Sequence, residues 1–137
     1  MSSFRILIVD DHLEWRRMLR IIFQEQAHWQ VIDEASDGAE AIQKSRELQP
    51  DLILLDIGLP RLNGIEAARR ICAMASHPRI LFLSENTEVD VIREALNTGA
   101  NGYVLKSEAA AELLVAMEVV RQGSRFVSGR ISEELRT

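Results

Sequence analysis

The chain has 137 residues, a length that suits one domain built around one hydrophobic core. Its composition, 47% hydrophobic and 27% charged, is ordinary for a folded globular protein and excludes the low-hydrophobicity signature of disorder. The formal charge of -5, from 21 acidic and 16 basic residues, argues against a surface built mainly to bind nucleic-acid phosphates or anionic lipid. Because the chain is acidic, a small cation is a better candidate for a bound partner than nucleic acid or anionic lipid.

The single cysteine, Cys72, rules out an internal disulfide framework and cannot form a zinc site by itself. We interpret its side chain as part of the core. No apolar run approaches the roughly 18 residues of a membrane span, and the run near the N-terminus is too short for a signal peptide. A reducing, bacterial-type cytoplasm fits these features best.

Five segments predict β-strands. Four of them are short runs of mostly branched aliphatic residues, which are typical of strands buried on both faces. The remaining segment alternates apolar and acidic residues and predicts a more exposed strand. In chain order the five segments are 4–9, 29–35 (the exposed one), 51–55, 79–83 and 102–105.

Between these strands the apolar residues recur every three or four positions, which is the period of a helix with one buried face. Three helix starts are indicated by a cap residue with an acid three positions later, where the helix dipole favours negative charge. The predicted caps are Asp37, Asn63 and Thr87. Strand and helix thus alternate five times, which predicts an α/β fold with a doubly wound parallel sheet, helices on both faces and right-handed crossovers.

Polar residues come directly after four of the predicted strands. Asp10 and Asp11 follow the first strand, Asp56 the third, Ser84 the fourth and Lys106 the fifth. Ligands of open parallel sheets bind beyond the carboxyl ends of the strands, so we expect these side chains to meet at one edge of the sheet.

Carboxylates collected at one edge repel one another, a cost that a bound divalent cation removes. Oxygen ligands without His or Cys suit Mg2+, which favours sites shared with a phosphate. Asp56 is then a candidate nucleophile that takes a phosphoryl group as an acyl phosphate. Lys106 and Ser84 can meet the oxygens of that group, one with charge and the other with a hydroxyl donor.

Each of these residues also has a simpler interpretation when it is taken alone. The paired aspartates and Ser84 could cap the helices that follow them, and Lys106 could be a solvated charge. Their joint placement favours a site. We interpret His12 as a helix-start residue rather than a ligand, because oxygen ligands already suffice. Tyr103 could be half-exposed core or a side chain that changes position with the site, and the core interpretation leads.

The chain resembles the receiver domain of bacterial two-component response regulators over residues 4 to about 122. The resemblance rests on four motifs in the order and spacing of that family: "ILIVDDH" (6–12), "DLILLDIGLPRLNGIEAARRI" (51–71), "ILFLS" (80–84) and "GYVLK" (102–106). It implies a (βα)5 fold, flavodoxin-like and CheY-like, with five parallel strands in the order 2-1-3-4-5. It also implies that the chain is a signalling switch rather than an enzyme. A sensor histidine kinase phosphorylates such a switch, and the switch then slowly hydrolyses its own acyl phosphate.

The resemblance assigns roles to particular positions. It implies that Asp56 is the phosphoacceptor and that Mg2+ is held by Asp11, Asp56 and the Gly58 carbonyl, with Asp10 acting through water. The positions that match the switch residues of the family are Ser84, Tyr103 and Lys106.

The segment "LKSEAAAELLVAMEVVRQGSRFVS" (105–128) resembles the last helix and exit of the NarL/FixJ (LuxR-type) subfamily, in which a short linker leads to a helix-turn-helix domain. We therefore expect a receiver domain at 1–122 and an exit segment at 123–137, in which residues 131–136 could begin one more helix. We interpret the chain as a fragment that lacks its output domain, rather than a single-domain regulator. The expected partners are a sensor histidine kinase and, on phosphorylation, a second copy of the chain. We expect this chain to bind neither DNA nor membrane, and DNA contact to belong to the absent domain.

One departure from the family pattern is Glu85, which stands beside Ser84 where the family usually has a small residue at the phosphoryl entrance. It predicts slowed phosphorylation and keeps open the alternative of a receiver-like interaction module with impaired phosphorylation. An aspartyl-phosphate phosphatase or mutase is disfavoured, because it needs Asp-x-Asp and Asp56 is followed by Ile57 and Gly58. A dinucleotide-binding domain is disfavoured because no G-x-G-x-x-G follows the first strand.

Overall fold

Strands and helices alternate along residues 3–135, the part of the chain that this computed structural model describes. The strands are β1 (Phe4–Val9), β2 (Trp29–Ala35), β3 (Leu52–Leu55), β4 (Arg79–Ser84), β5 (Gly102–Leu105) and β6 (Phe126–Val127). The helices are α1 (Leu13–Gln24), α2 (Gly38–Leu48), α3 (Gly64–Cys72), α4 (Val89–Leu96), α5 (Ala109–Arg121) and α6 (Gly129–Leu135). A 3-10 turn at Lys106–Glu108 joins β5 to α5.

The strands form one parallel sheet in the order β2-β1-β3-β4-β5-β6. The predicted order 2-1-3-4-5 is confirmed for the first five strands. The predicted number of five strands is wrong, because Phe126 and Val127 pair with Gly102 and Tyr103 of β5. A strand of two residues shows no apolar period in the sequence; backbone hydrogen bonds to its neighbour define it.

Both faces of the sheet are buried, as the branched aliphatic runs predict. Side chains of β1 alternate between two apolar clusters: Leu7 lies in one, on the face of α2, α3 and α4, and Ile8 lies in the other, on the face of α1 and α5. Burial of apolar area on this scale is the main stabilising term of such a fold. Cys72 is partly buried against the first cluster, which confirms its interpretation as packing. β2 lies at the edge of the sheet and is only partly buried at most of its positions.

The predicted helix caps are confirmed at two of three positions. Asp37 and Asn63 each accept a hydrogen bond from the backbone N–H three residues on. The prediction of Thr87 as a cap is wrong, because α4 begins at Val89 and Glu88 occupies the cap position without a side-chain hydrogen bond. In the loop before α4, the Glu88 N–H donates to the Asn86 side chain, so the extended chain continues past Thr87 before the helix begins.

Residues 126–135 return to the body of the fold. β6 lies along β5, and α6 packs on α4 with Ile131 only 2% exposed. The helix that residues 131–136 were expected to begin is α6, which starts at Gly129; residue 136 lies outside the described range. The domain boundary at residue 122 stays a prediction. None of the helices within residues 3–135 is long and apolar enough to cross a membrane.

Candidate functional site

Two buried carboxylates lie side by side at the carboxyl ends of the central strands. The parallel register pairs Val9 of β1 with Leu55 of β3, so the next residues of both strands, Asp10 and Asp56, are neighbours. The Asp56 N–H donates to the Val9 carbonyl at 3.1 Å, which ties the two strand ends together. The Asp10 and Asp56 residues are only 2% and 6% exposed. Sheet geometry therefore brings together two residues that are 46 positions apart.

Lys106 enters the same site from the end of β5. Its Nζ lies 2.7 Å from Asp10 Oδ2 and 3.0 Å from Asp56 Oδ2. Burial lowers the pKa of Lys106, but the hydrogen bond to Asp10 and the charge of Asp56 outweigh it and raise the pKa overall. The ammonium therefore stays charged. It also lies 4.8 Å from the centre of the Trp15 ring, which is a cation–π contact.

Asp11 and His12 complete the rim of the site. His12 occupies the cap position before α1, in agreement with its interpretation as a helix-start residue. Its Nδ1 lies 3.0 Å from Asp10 Oδ1 and 3.3 Å from Asp11 Oδ1. The hydrogen bond to Asp10, followed by the charge of Asp11, raises the pKa of His12. Asp10, Asp11, His12 and Asp56 each offer a ligand atom, and these atoms lie within 4.8 Å of one another. The participation of His12 in this cluster was missed, because the sequence shows only its place at the helix start.

The charge of this cluster matches a divalent cation. Three carboxylates against the one ammonium of Lys106 leave a formal charge of -2 when His12 is neutral. The donor atoms are mainly carboxylate oxygens at the mouth of a cleft, which is the chemistry that Mg2+ prefers. The residues present therefore fit a magnesium ion.

The loop after Asp56 is held against the start of α3. The Gly64 N–H donates to the Ile57 carbonyl at 2.8 Å, and a Cβ added to Gly64 would lie 1.9 Å from the Asp56 carbonyl oxygen. Only glycine permits this approach. A Cβ at Gly58, in contrast, would have no atom within 4 Å. The backbone of Asp56 is thus fixed by close packing, while Gly58 lies at the open side.

Ser84 and Tyr103 are joined through the loop between β4 and α4. Ser84 Oγ accepts a hydrogen bond from the Asn86 N–H at 3.1 Å, and the Tyr103 hydroxyl donates to the Asn86 carbonyl at 2.8 Å. Tyr103 belongs to the core, as the leading interpretation predicts, and it is fully buried rather than half-exposed. Burial raises the pKa of Tyr103 to about 12.

A cleft of about 400 Å³ opens onto Asp56. Glu85 is exposed and lines this cleft, which places it at the mouth of the site as predicted. The full lining is His12, Asp56, Ile57, Gly58, Ser84, Glu85 and Asn86. A larger cleft of about 640 Å³, around Cys72 and Arg79, contains none of these residues, and no acidic residue that the structure describes lines it.

Comparisons with known proteins place these observations in a family. The family model described as response regulator receiver domain matches residues 6–118. The transcriptional regulatory protein DegU of Brevibacillus brevis is 31% identical over 134 residues, which cover 98% of this chain and 57% of DegU. The transcriptional regulatory protein LiaR of Bacillus subtilis (strain 168) is 35% identical over 136 residues, covering 96% of this chain and 64% of LiaR.

A solved structure agrees with this result. The crystal structure of a LuxR-family two-component response regulator from Aurantimonas sp. SI85-9A1 superposes with a TM-score of 0.93 and is 36% identical. The match covers 98% of this chain and 96% of the solved one. The chain spans less than two thirds of the length of the two curated relatives. By the family match and these similarities, the chain belongs to the receiver domain family of two-component response regulators, and to its LuxR-type (NarL/FixJ) branch.

Proposed function

We propose that the chain is a phosphorylation-controlled switch in which Asp56 accepts a phosphoryl group from a sensor histidine kinase. The observation that carries this proposal is the Lys106 ammonium, which bridges Asp10 and Asp56 beside an acidic cluster at the mouth of a cleft. This arrangement supplies a nucleophile, a cation for the incoming group and ligands for a metal within one small volume.

In the proposed reaction a carboxylate oxygen of Asp56 attacks phosphorus, and a P–O bond forms as the P–N bond of a phosphohistidine breaks. The imidazole leaves with the electron pair of that bond, and the product is an acyl phosphate. Transfer of this kind requires positioning and charge compensation more than covalent chemistry by other groups. Asp56 is held for it, because its Oδ1 accepts from the Ile57 N–H at 2.7 Å and its backbone contacts Gly64.

Two side chains would compensate the charge on the transferred group. Lys106 lies 3.0 Å from Asp56, so its ammonium would be close to a phosphoryl group carried by that carboxylate. Ser84 Oγ accepts from the Asn86 N–H, so its own O–H is the donor that would turn to the phosphoryl group. The Tyr103 hydroxyl is hydrogen-bonded to the same loop, so a movement of Ser84 would alter the surroundings of Tyr103. This link supports the proposed switch roles of Ser84 and Tyr103.

Mg2+ would be held by Asp11, Asp56 and the Gly58 carbonyl, with Asp10 acting through water. The bound ion supplies positive charge that phosphoryl oxygens and the carboxylates share. Lys106 alone leaves a charge of -2 in the cluster, and this residual charge supports the assignment.

The proposal extends to the whole protein. The relatives named above are transcriptional regulators longer than this chain, so we propose that DNA contact belongs to an output domain outside it and that this chain alone binds no DNA. The net charge of -5 supports that division.

The proposal also includes formation of a homodimer on phosphorylation, slow hydrolysis of the acyl phosphate and location in a reducing cytoplasm. Exposed apolar side chains on α1 and α5, including Ile21 and Val115, are available for pairing.

Glu85 favours a second candidate, a receiver-like interaction module whose phosphorylation is impaired. Its carboxylate lines the cleft through which a negatively charged phosphodonor must approach Asp56. In this candidate, protein contacts rather than phosphorylation would control the chain.

Intact-mass measurement distinguishes the two candidates. The parent, Asp56→Asn and Asp90→Asn are incubated with a small acyl phosphate, with and without Mg2+. Asp90 is an exposed carboxylate in the first turn of α4 and serves as the matched control. We expect the parent and Asp90→Asn to gain one phosphoryl group only with Mg2+, and Asp56→Asn to gain none. A parent that gains none would favour the interaction module.

A further inference from the structure

The indole ring of Trp15 is one of three groups that contact the Lys106 ammonium. Nζ of Lys106 lies 2.7 Å from Asp10 Oδ2 and 3.0 Å from Asp56 Oδ2, and it lies over the Trp15 ring. An ammonium has three N–H donors, so two carboxylates and one aromatic face are enough to surround it. The side chain of Lys106 is only 2% exposed, which shows that these contacts replace water.

The position of Trp15 is fixed by α1. The residue lies in the first turn of this helix, is partly buried and packs against the apolar cluster that contains Ile8 and Leu54. The attraction between an ammonium and an aromatic face is strongest for tryptophan and grows when the pair is shielded from water. The ring can therefore hold the ammonium of Lys106 without any formal negative charge.

The two carboxylates that hold Lys106 also belong to the cluster that fits Mg2+. An ion bound by this cluster would compensate the charges of Asp10 and Asp56 and would repel the ammonium, because like charges repel strongly at short distance. The attraction of the Trp15 ring for the ammonium does not depend on those carboxylates. Trp15 is therefore the contact that can keep Lys106 in the site beside the ion.

We propose that Trp15 is a positioning residue for phosphoryl transfer, and that its ring holds the Lys106 ammonium beside Asp56 once Mg2+ has bound. This inference rests on the proposed function of Asp56, and Trp15 acts through Lys106 alone. The contact favours the complex with a phosphoryl group, which uses the ammonium. The same contact disfavours Mg2+ in the empty site, where the ammonium competes for the carboxylates.

Loss of the ring should therefore change two affinities in opposite directions. Trp15→Leu keeps an apolar side chain against the cluster but removes the aromatic face. Because the ammonium is then free to leave the carboxylates, Mg2+ alone should bind several-fold more tightly. Beryllofluoride, which mimics a phosphoryl group on a carboxylate, should bind about tenfold more weakly at saturating Mg2+. A purely structural role of Trp15 predicts that both ligands bind more weakly.

Two further variants separate the aromatic face from simple packing. Trp15→Phe restores a weaker aromatic face and should recover part of the loss in beryllofluoride binding. Trp29→Leu is the matched control, because Trp29 belongs to the same apolar cluster and its ring contacts that of Phe4, with centroids 5.6 Å apart. This control should leave both affinities unchanged.

A double-mutant cycle tests whether Trp15 acts through Lys106. Calorimetric titration with Mg2+ alone is carried out on the parent, Trp15→Leu, Lys106→Met and the double variant, and urea unfolding checks that each protein is folded. We expect Lys106→Met to bind Mg2+ more tightly than the parent. Adding Trp15→Leu to Lys106→Met should then have no further effect, because the ring has no ammonium to hold.

Two results would overturn the inference. If beryllofluoride binds the parent but not Asp56→Asn, while Trp15→Leu weakens both ligands or neither, Trp15 only packs against the core and the proposed function stands. An equal effect of Trp15→Leu on Mg2+ binding with and without Lys106 leads to the same conclusion. If the parent neither binds beryllofluoride nor gains a phosphoryl group at Asp56, the proposed function fails and the role of Trp15 fails with it.

Discussion

The Lys106 ammonium lies 3.0 Å from Oδ2 of Asp56, the proposed phosphoacceptor, and their side chains are only 2% and 8% exposed. An ion pair this deeply buried is costly to break by removing one partner, because the remaining charge keeps its desolvation penalty. The ammonium therefore stabilises the site while no other cation is bound.

Replacement of Lys106 by methionine should lower the free energy of unfolding by about 3 kcal/mol in the absence of metal, because it leaves Asp10 and Asp56 uncompensated. Added Mg2+ should recover part of this loss. Urea unfolding with and without Mg2+ measures both effects. Lys44→Met is the control, because Lys44 pairs with partly exposed Asp33 and Glu40 and should cost about 1 kcal/mol or less. Equal losses in the two variants would contradict the role given to Lys106.

Mg2+ should raise the melting temperature of the parent, since an ion that binds only the folded state stabilises it by mass action. The ion also relieves the repulsion among Asp10, Asp11 and Asp56. Asp11→Ala should weaken metal binding and reduce the rise, and it removes one repelling charge from the metal-free protein. Calorimetry over a series of millimolar Mg2+ concentrations tests this. A melting curve that does not respond to Mg2+ would argue against the metal site.

Tyr103 should make stability depend on pH in the alkaline range. Burial raises the pKa of Tyr103 to about 12 in the folded protein, against about 10 in an unfolded chain. The stabilising contribution is therefore fully present below pH 10 and is lost as the pH rises toward 12. Because Tyr103 is the only tyrosine, ultraviolet titration of tyrosinate reports on it alone. A midpoint near 10 in the folded protein would contradict its burial, and Tyr103→Phe provides the baseline.

Gly64→Ala should destabilise the protein by about 1–3 kcal/mol and weaken Mg2+ binding, because the new Cβ would meet the Asp56 carbonyl oxygen at 1.9 Å. Gly58→Ala is the matched substitution, since its Cβ meets no atom within 4 Å. Chemical unfolding of the two variants should separate them clearly. If Gly64→Ala were as stable as Gly58→Ala, the close packing beneath Asp56 would be wrong.

Glu85→Ala should accept a phosphoryl group from a small donor several-fold faster than the parent, because it removes both a repelling charge and bulk from the cleft. Glu85→Gln keeps the bulk and removes only the charge, so it should show the electrostatic part of the effect. Glu88→Gln makes the same charge change at a residue that does not line the cleft, and should leave the rate unchanged. Time courses at matched Mg2+ decide the matter, and a rate for Glu85→Ala equal to or below that of the parent would show that Glu85 does not guard the entrance.

The sequence predicts most of the sheet and the centre of the site, for a physical reason. Buried parallel strands require runs of branched aliphatic residues, and the polar residues Asp10, Asp56 and Lys106 follow such runs directly, so the strand ends also predict which side chains meet. Parallel register then brings them within hydrogen-bonding distance.

What the sequence did not show depends on contacts between distant residues. β6 is defined by backbone hydrogen bonds to β5 and has no apolar period. The orientation of α1 relative to the sheet brings His12 beside two aspartates and Trp15 over Lys106. Thr87 has the side chain of a cap, but α4 begins two residues later, at Val89, after a loop in which the Glu88 N–H donates to Asn86.

The most direct test of the central claim is the location of the phosphoryl group. After reaction with a small acyl phosphate and Mg2+, tryptic cleavage at Arg46 and Arg61 yields the peptide 47–61, in which Asp56 is one of two aspartates, and fragmentation assigns the modified residue. We expect an acyl phosphate on Asp56 and no modified peptide from Asp56→Asn. A phosphoryl group on another residue, retained in Asp56→Asn, would contradict the assignment of Asp56 as the phosphoacceptor.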